Sequence, residues 1–325
     1  MKIFLRGLKW LGILVIIIIA GVIIAANMMY DRKYDAPYPD IRASTDSAVI
    51  AHGKHLVLVT AHCGDCHYNP GDSLALINGD EFRLAGGAFP FNFPGGVFYS
   101  KNISSDKETG IGNLRDNEIA RSLRYGVKHD GTVLIPAMEY QNLSDEDLTA
   151  IISYLRTLPA INHKVPDNDF NLLGKAILSF IIRPVSPIKT PPAKMAPDTT
   201  VEYGYYLAQF VSGCHSCHTE RDPNTGAYIG KEFAGGPWER LKGDPPRMLY
   251  SANLTPDPKT GVLYGWSFEK FKDRFQQGRF IKESPMPWNM FKKLSDTELH
   301  ALWKFLQTIE PVHNDIGGYV HVIKE

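Results

Sequence analysis

The sequence has no excess of either charge and no cysteine outside two short motifs. Its 35 Lys and Arg residues balance 35 Asp and Glu residues, so the composition gives no indication of a nucleic-acid-binding protein. No βαβ pattern is found, and apolar and polar residues seldom alternate for long, so we predict an all-α fold. With 325 residues, of which 44% are apolar, the chain can form two modest domains.

All four cysteines lie in two Cys-x-x-Cys-His pentapeptides, CGDCH and CHSCH. A thioredoxin-like redox pair does not need the histidine and normally lies within a βαβ unit. Zinc-binding Cys-x-x-Cys pairs usually lie about 12–20 residues apart, whereas a far longer stretch separates Cys66 from Cys214. The third chemistry, covalent attachment of c-type haem, accounts for both motifs and for every thiol.

A motif of this spacing that opens a helix places both thiols and the imidazole on one face. The thiols can then form thioethers with the porphyrin edge while the imidazole reaches the iron. We therefore predict two covalently bound haem c groups, one at each motif. The predicted residues are Cys63, Cys66 and His67 for the first haem, and Cys214, Cys217 and His218 for the second.

An uncharged run of twenty residues, from Trp10 to Met29, follows a short segment with three basic residues. At about 1.5 Å per residue, this run matches the ~30 Å hydrocarbon core of a bilayer. A cleaved signal peptide is the alternative, but its apolar region usually has about 7–15 residues, and the cleavage pattern around Ala25 is poor. We expect a retained single-pass transmembrane helix at residues 8–29, followed by a linker at residues 30–48.

The three basic residues before this run, Lys2, Arg6 and Lys9, favour a cytoplasmic N-terminus. The remainder of the chain then lies outside the cytoplasm, which is where c-type haem is attached. We therefore expect a protein of the bacterial inner membrane whose haem domains are on the periplasmic side.

The rest of the chain repeats itself at a constant offset, which indicates a duplicated domain. His67 and His218 lie 151 residues apart, and so do the starts of KNISSDKETGI and ANLTPDPKTGV. The segments LSDEDLTAIISYL and LSDTELHALWKFL repeat at the same offset, and Ser144 and Ser295 are the predicted helix N-caps. We predict one module at residues 49–163 and a second, with a C-terminal tail, at residues 201–325.

Two segments do not fit a helical pattern. GGAFPFNFPGGVFYSKN, in the first module, is too rich in Gly and Pro for a regular element, and its aromatic residues are expected to line a haem. Residues 164–200 are predicted to be a proline-rich linker with a short apolar helix. That helix, LLGKAILSFII, is too short to span a bilayer, and it either packs on the modules or lies against the membrane surface or a partner subunit.

Each module has a methionine that can supply the sixth ligand of a haem iron. Met138, in LIPAMEY, follows His67 in the first module. Met286, in ESPMPW, follows His218 in the second module at nearly the same separation. Both have a proline shortly before and an aromatic residue two positions after. Met290 is the rival to Met286, and Met248 is interpreted as packing. Four histidines of the first module could replace Met138 as the ligand, but none has an equivalent in the second module: His52, His55, His62 and His129.

The motif order resembles that of the cytochrome c subunits of bacterial membrane-bound alcohol, aldehyde and gluconate dehydrogenases. The resemblance lies in GKHLVLVTAHCGDCH, NISSDKETGIG, IPAMEY, GYYLAQFVSGCHSCHTERD and SPMPW. It implies two tandem cytochrome c-type domains with Met138 and Met286 as iron ligands, and it implies electron transfer from a dehydrogenase to quinone or an oxidase. Two features differ: those subunits typically have three haem modules, and their Ala-Met-Pro-Tyr is Ala-Met-Glu-Tyr here.

The leading hypothesis is therefore a membrane-anchored dihaem electron-transfer protein that is not itself an enzyme. Its partners would be the membrane, a dehydrogenase or quinol-oxidising complex, and a downstream acceptor such as a terminal oxidase. A dihaem peroxidase is the alternative, although two equivalent methionines disfavour the open haem that it needs. A haem-based sensor would need an output domain, and the sequence has no segment of that kind.

A basic stretch in the second module has a counterpart of lower charge in the first. Residues 270–293 contain seven Lys and Arg residues against Asp273 and Glu283, whereas residues 119–142 have a net charge of +1. A solvated helix face explains this pattern, and so does a docking surface for an acidic redox partner.

Overall fold

The computed structural model describes residues 2–78, 80–88, 90–222 and 226–323, and most of its regular structure is helical. The first helix, α1 (Lys2–Met29), is continuous, and its Ile3–Met29 part is long and apolar enough to cross a membrane. Its apolar side chains are largely exposed, which distinguishes it from the core helix of a soluble protein. Lys324 and Glu325 of the predicted tail lie outside the described residues, as does Phe89.

The first half of the remaining chain contains five α-helices among its described residues, and a 3-10 turn, Pro70–Asp72, precedes the third of them. The first of them continues into a π-helical turn, Leu56–Thr60, that leads into the first Cys-x-x-Cys-His motif. The helices are α2 (Ser47–His55), α3 (Gly64–His67), α4 (Ser73–Asn78), α5 (Asp116–Tyr125) and α6 (Asp145–Thr157).

Among the described residues, the second half repeats most of this order after a short connecting helix, with no counterpart of α4 and with one extra short helix before the last one. The connecting helix is α7 (Leu172–Ala176), which continues as a π-helical turn over Ile177–Ile181. The helices of the second half are α8 (Val201–Tyr206) with the π-helical turn Leu207–Val211, α9 (Cys214–His218), α10 (Phe268–Gln276), α11 (Trp288–Phe291) and α12 (Asp296–Leu306).

The last helix of each half starts and packs as its sequence predicts. The Ser144 hydroxyl accepts a hydrogen bond from the Asp147 amide at 3.0 Å, and Ser295 accepts one from Glu298 at 3.2 Å. Glycine allows the opening helix of each half to pack closely on the last one. A Cβ at Gly53 would overlap the backbone of α6, and a Cβ at Gly204 would overlap the backbone of α12.

The all-α prediction is not confirmed, because each half also contains a small antiparallel sheet. The Gly- and Pro-rich segment, predicted to be irregular, forms β1 (Pro90–Phe93) and β2 (Gly96–Tyr99), so that prediction is wrong. Phe91 stacks on Phe98 across the pair at 4.6 Å, which is the cross-strand aromatic contact that favours a strand over a loop. The third strand, β3 (Asp169–Phe170), lies in the predicted linker and pairs with β2.

The second sheet has the same arrangement. A hairpin of β4 (Gly236–Leu241) and β5 (Arg247–Ser251) is completed by β6 (Val320–Val322). The first residues of β3 and β6 are separated by the offset of the sequence repeat. Both sheets were missed at the level of sequence because their strands are short and are surrounded by glycine and proline.

The two halves share one hydrophobic core, and polar contacts cross it in matched positions. The first half's His55 hydrogen-bonds through Nε2 to Glu298, at the start of α12, at 2.9 Å. Tyr206, which is the equivalent of His55 in the repeat, donates through its hydroxyl to Asp147, at the start of α6, at 2.5 Å. Each half therefore binds the carboxylate in the first turn of the other half's last helix, in an approximate two-fold arrangement.

His52 bonds to the same carboxylate as Tyr206. Its Nε2 lies 2.6 Å from Asp147 Oδ1, and this hydrogen bond raises the pKa of His52 above its ordinary value of 6.5, although burial opposes the shift. Because the shift is upward, the stabilisation is fully present below about pH 6.5 and is lost as the pH rises through the folded-state pKa.

We predict that the thermal unfolding midpoint of the wild-type protein falls relative to that of His52→Gln as the pH is raised from about 6 to about 8. Differential scanning calorimetry across this range measures the effect. His129→Gln is the matched control, since His129 is exposed. Parallel curves for the wild type and His52→Gln would contradict the assignment.

Candidate cofactor sites at the two Cys-x-x-Cys-His motifs

Both motif helices begin after a residue with a positive φ angle. His62, immediately before Cys63, has φ of 38°, and its counterpart Gly213 has φ of 62°. The left-handed residue ends the π-helical turn and redirects the chain, so the motif starts as a separate helical turn. The amide of His67 then bonds to the Cys63 carbonyl at 2.9 Å, which sets the helical spacing predicted for the two thiols and the imidazole.

The predicted proximal histidines make the same hydrogen bond in both halves. His67 donates from Nδ1 to the backbone carbonyl of Lys101 at 2.7 Å, and His218 donates from Nδ1 to the carbonyl of Ala252 at 2.8 Å. Burial lowers the pKa of both rings, although the carbonyl contact opposes it, so both are neutral near pH 7. A neutral ring with Nδ1 protonated presents Nε2 as a lone-pair donor, the form in which histidine binds a metal.

A buried asparagine holds the loop of each accepting carbonyl in place. Asn102 donates to the Ile161 carbonyl at 2.8 Å and accepts from the Ser104 amide at 2.9 Å. Asn253 makes the equivalent bonds to Val312 and Thr255 at 2.8 and 3.0 Å. These asparagines are therefore structural residues of the loops that orient the histidines.

Close approach of a glycine completes the arrangement in each half. The Gly86 amide donates to the His67 carbonyl at 2.8 Å, and a Cβ at Gly86 would lie 2.5 Å from the Lys101 carbonyl atoms. Gly235 donates to the His218 carbonyl at 2.8 Å, and its Cβ would lie 2.6 Å from the Ala252 carbonyl carbon. Both glycines have positive φ, of 67° and 73°.

The four thiols are free, largely buried and protonated. No disulfide links them, and burial is the main cause that raises the pKa of Cys63, Cys66 and Cys214 to about 12 and that of Cys217 to about 11. A thiolate-based zinc or redox site needs lowered pKa values instead. Among the described residues, no group of three or more His, Cys, Asp and Glu side chains is placed to hold a metal ion.

The two motifs lie close to each other across the shared core. After burial and Asp65, the third cause that raises the pKa of the Cys66 thiol is Cys217 of the other motif. His62 bonds through Nε2 to the Ser212 carbonyl, just before the second motif, at 3.2 Å. The rival ligands His52, His55 and His62 thus all have protein partners, and His129 is exposed.

The predicted methionine ligands lie in irregular segments. Tyr140, two residues after Met138, donates its hydroxyl to the Ala61 carbonyl at 2.6 Å, which holds the Met138 segment against the first motif. Met286 is partly buried and packs on the shared core immediately before α11. Met290, the rival, lies within α11 and is only 2% exposed, as a core-filling residue would be.

An ion pair that the sequence did not predict joins the two sites. Glu139, next to Met138, lies 2.7 Å from Arg221, shortly after His218. Tyr228 donates its hydroxyl to Glu139 at 2.8 Å, and its ring lies under the Arg221 guanidinium at 4.2 Å. In the sequence, this ion pair is indicated only by the Glu at the third position of Ala-Met-Glu-Tyr, where the similar subunits have Pro.

No family model matches the chain, whereas several curated proteins do. The alcohol dehydrogenase (quinone) cytochrome c subunit of Gluconacetobacter polyoxogenes is 28% identical over 294 residues, covering 85% of this chain and 59% of that protein. The fructose dehydrogenase cytochrome subunit of Gluconobacter japonicus is 25% identical over 327 residues, covering 94% and 60%. A dihaem cytochrome c-type protein of Cereibacter sphaeroides is 27% identical over 203 residues, covering 60% and 63%.

The resemblance to cytochrome c subunits of dehydrogenases is confirmed by these matches. The chain spans about three fifths of the length of the curated relatives that it matches. These relatives support an electron-transfer role.

We predict that Gly86→Ala and Gly235→Ala each lower the free energy of unfolding by more than roughly 3 kcal/mol, because the added methyl group displaces the carbonyl that orients the histidine. Most single substitutions cost less than this. Gly265→Ala is the matched control. Gly265 has a similar φ of 69° and nothing within 4 Å of its Cβ, so it should cost only about 1–2 kcal/mol of backbone strain. Thermal unfolding compares the three, and equal losses would show that the close contact is unimportant.

Proposed function

We propose that this chain is a dihaem c-type cytochrome that carries electrons for a membrane-bound dehydrogenase or quinol-oxidising complex. One observation carries the proposal. Two largely buried thiols and a neutral imidazole, with Nδ1 bonded to a backbone carbonyl, occur twice at the same spacing. Electrons would pass to a downstream acceptor such as a terminal oxidase, and the chain itself would transform no substrate.

The residues of each site fit a covalently bound haem. Protonated, unlinked thiols are the form that adds to the porphyrin vinyl groups, and Nε2 of each proximal histidine has its lone pair available. When bound, each haem supplies an iron that changes oxidation state by one electron. The Nδ1–carbonyl bond fixes the ring plane and increases the basicity of Nε2. Met138 and Met286 are the proposed sixth ligands, which raise the potential and close the iron to substrates.

The proposed organisation follows the repeat. One cytochrome domain comprises residues 49–163 and the other residues 201–325. The matched helices and the matched three-stranded sheets of the two halves support this division. α1 is the proposed single-pass span in the bacterial inner membrane, with both domains on the periplasmic side.

Covalent attachment of two haems is the direct test of this function. Acid–acetone extraction should leave the colour with the polypeptide, and a pyridine haemochrome assay should give two haems per chain. Replacing Cys63 and Cys66 by Ala should remove one haem, and replacing Cys214 and Cys217 should remove the other. Release of all colour into the solvent would refute the assignment.

The sixth ligands are tested by substitution with a stronger donor. Met138→His and Met286→His should each lower the potential of one haem by on the order of 0.1 V, within the roughly 0.8 V range that axial ligands control. The other haem should change little. Spectropotentiometric titration measures both potentials. If Met290→His lowers a potential and Met286→His does not, Met290 is the ligand in the second domain.

Several charges of the basic stretch face solvent near Met286. Lys282 and Lys292 are exposed, whereas Lys272 forms an ion pair with Asp296 at 2.6 Å. Arg274 lies over the Trp288 ring at 3.7 Å, so it serves packing as well as charge. An acidic redox partner would meet the exposed lysines beside the second haem.

Reversing Lys282, Lys292 and Lys293 to Glu should slow electron exchange with an acidic partner and flatten its ionic-strength dependence. Reversal of Lys54, Lys107 and Lys128 in the first half is the charge-matched control. Arg121 is unsuitable as a control because it is only 4% exposed and lies over the Tyr38 ring. Stopped-flow kinetics measures the rate of electron exchange for both triple variants. Equal slowing by the two triple variants would exclude this docking face.

A further inference from the structure

The connecting segment Leu172–Ile181 packs against the end of α1. Ser179 donates its hydroxyl to the Ala26 carbonyl at 3.1 Å, in a contact that buries both residues completely. Lys175 donates to the Asn27 side chain at 2.9 Å and lies over the Tyr30 ring at 5.1 Å. One face of the segment is thus fixed to the last turns of the proposed span.

A second set of contacts fixes the segment to the first half of the molecule. Asn171 caps α7 and donates to the Pro94 carbonyl, in the β1–β2 turn, at 2.8 Å. Gly174 lies so close to the Gly95 carbonyl that a Cβ would overlap it. The segment therefore connects α1 rigidly to the first sheet.

The remaining face is apolar and exposed. Four large apolar side chains, at the two ends of the segment, are 44–61% exposed, and they are Leu172, Leu173, Phe180 and Ile181. Arg183 donates to the carbonyls of Ser179 and Phe180, which satisfies the end of the π-helical turn. Exposed large apolar side chains at both ends of one short segment are typical of a surface that meets a membrane or a protein.

The depth of the segment favours lipid as the occupant. If the run from Trp10 to Met29 spans the hydrocarbon core, Met29 lies at its boundary. Ala26 is three residues before Met29, and so about 4.5 Å inside that boundary. Ser179, bonded to Ala26, then lies at a similar depth, just inside the hydrocarbon core. The charged heads of Lys175 and Arg183 have polar partners in the protein, on Asn27 and on the carbonyls of Ser179 and Phe180 respectively.

We propose that Leu172–Ile181 is an interfacial helix that inserts its exposed face into the lipid leaflet on the side of the haem domains. The proposal rests on the proposed membrane span of α1. It adds a second, non-spanning membrane contact, which sets the tilt of the first domain relative to the bilayer. Ten residues are too few to cross a bilayer, and an amphipathic segment of this kind lies about 5–10 Å deep in the interface.

Photolabelling of the full-length protein tests the insertion. The protein is reconstituted into phosphatidylcholine and phosphatidylglycerol vesicles that contain a phospholipid with a diazirine on its acyl chain near the headgroup, and adducts are located by mass spectrometry. Adducts on Leu172–Ile181 should exceed those on Ile188 and Phe280 several-fold. These reference residues are even more exposed, at 80% and 65%, and neither has a described bond to α1.

A charge variant gives the matched comparison. Phe180→Asp with Ile181→Asp should reduce adducts at Leu172 and Leu173 to the level of Ile188, whereas Ile188→Asp should leave them unchanged. Labelled α1 with an unlabelled Leu172–Ile181 segment would overturn this inference alone and would indicate a protein partner for the face. Absence of adducts on α1 itself would overturn the membrane span, and this inference with it.

Discussion

The hydrogen bond from histidine Nδ1 to a backbone carbonyl is the constraint around which each half of the molecule is arranged. The loops of the accepting carbonyls of Lys101 and Ala252 are held by Asn102 and Asn253. Two glycines, Gly86 and Gly235, must also approach without a side chain. These residues are far from the motifs in sequence, yet they determine the tautomer and the orientation of the imidazole. The same set recurs in the second half, so the duplication preserved the support of the ring as well as the motif.

The contact between the halves is symmetric in its backbone and asymmetric in its chemistry. His55 and Tyr206 occupy equivalent positions and bind equivalent carboxylates, but one is an imidazole and the other a phenol. The Glu139–Arg221 pair connects the Met138 segment to the second motif. The shared core brings the two motifs together, and short-range electron exchange between two haems would need this proximity.

Local patterns in the sequence predicted much of this arrangement, and longer-range contacts account for what they missed. The caps at Ser144 and Ser295, the membrane-length helix and the helical motifs follow from local spacing, and the structure has them. The sheets were missed because β3 and β6 are contributed by chain far from their hairpins, and strands of two or three residues have no periodicity. The hydrogen bonds of His52, His55 and His62 could not be predicted from local sequence patterns either, because each histidine has a partner about 95 to 243 residues away in the chain. The sequence shows an excess of basic residues in the basic stretch but not their contacts: Arg274 packs on an aromatic ring and Lys272 is paired.

The absorption spectrum is the most direct test of the central claim that both sites hold six-coordinate haem c with methionine as the sixth ligand. We expect the spectrum of the reduced protein to be unchanged by carbon monoxide, because methionine closes each iron. We also expect a weak near-infrared band in the oxidised protein from methionine bound to ferric iron. A shift of the reduced spectrum on addition of carbon monoxide would contradict the claim, since it would reveal an open iron of the kind that a peroxidase needs.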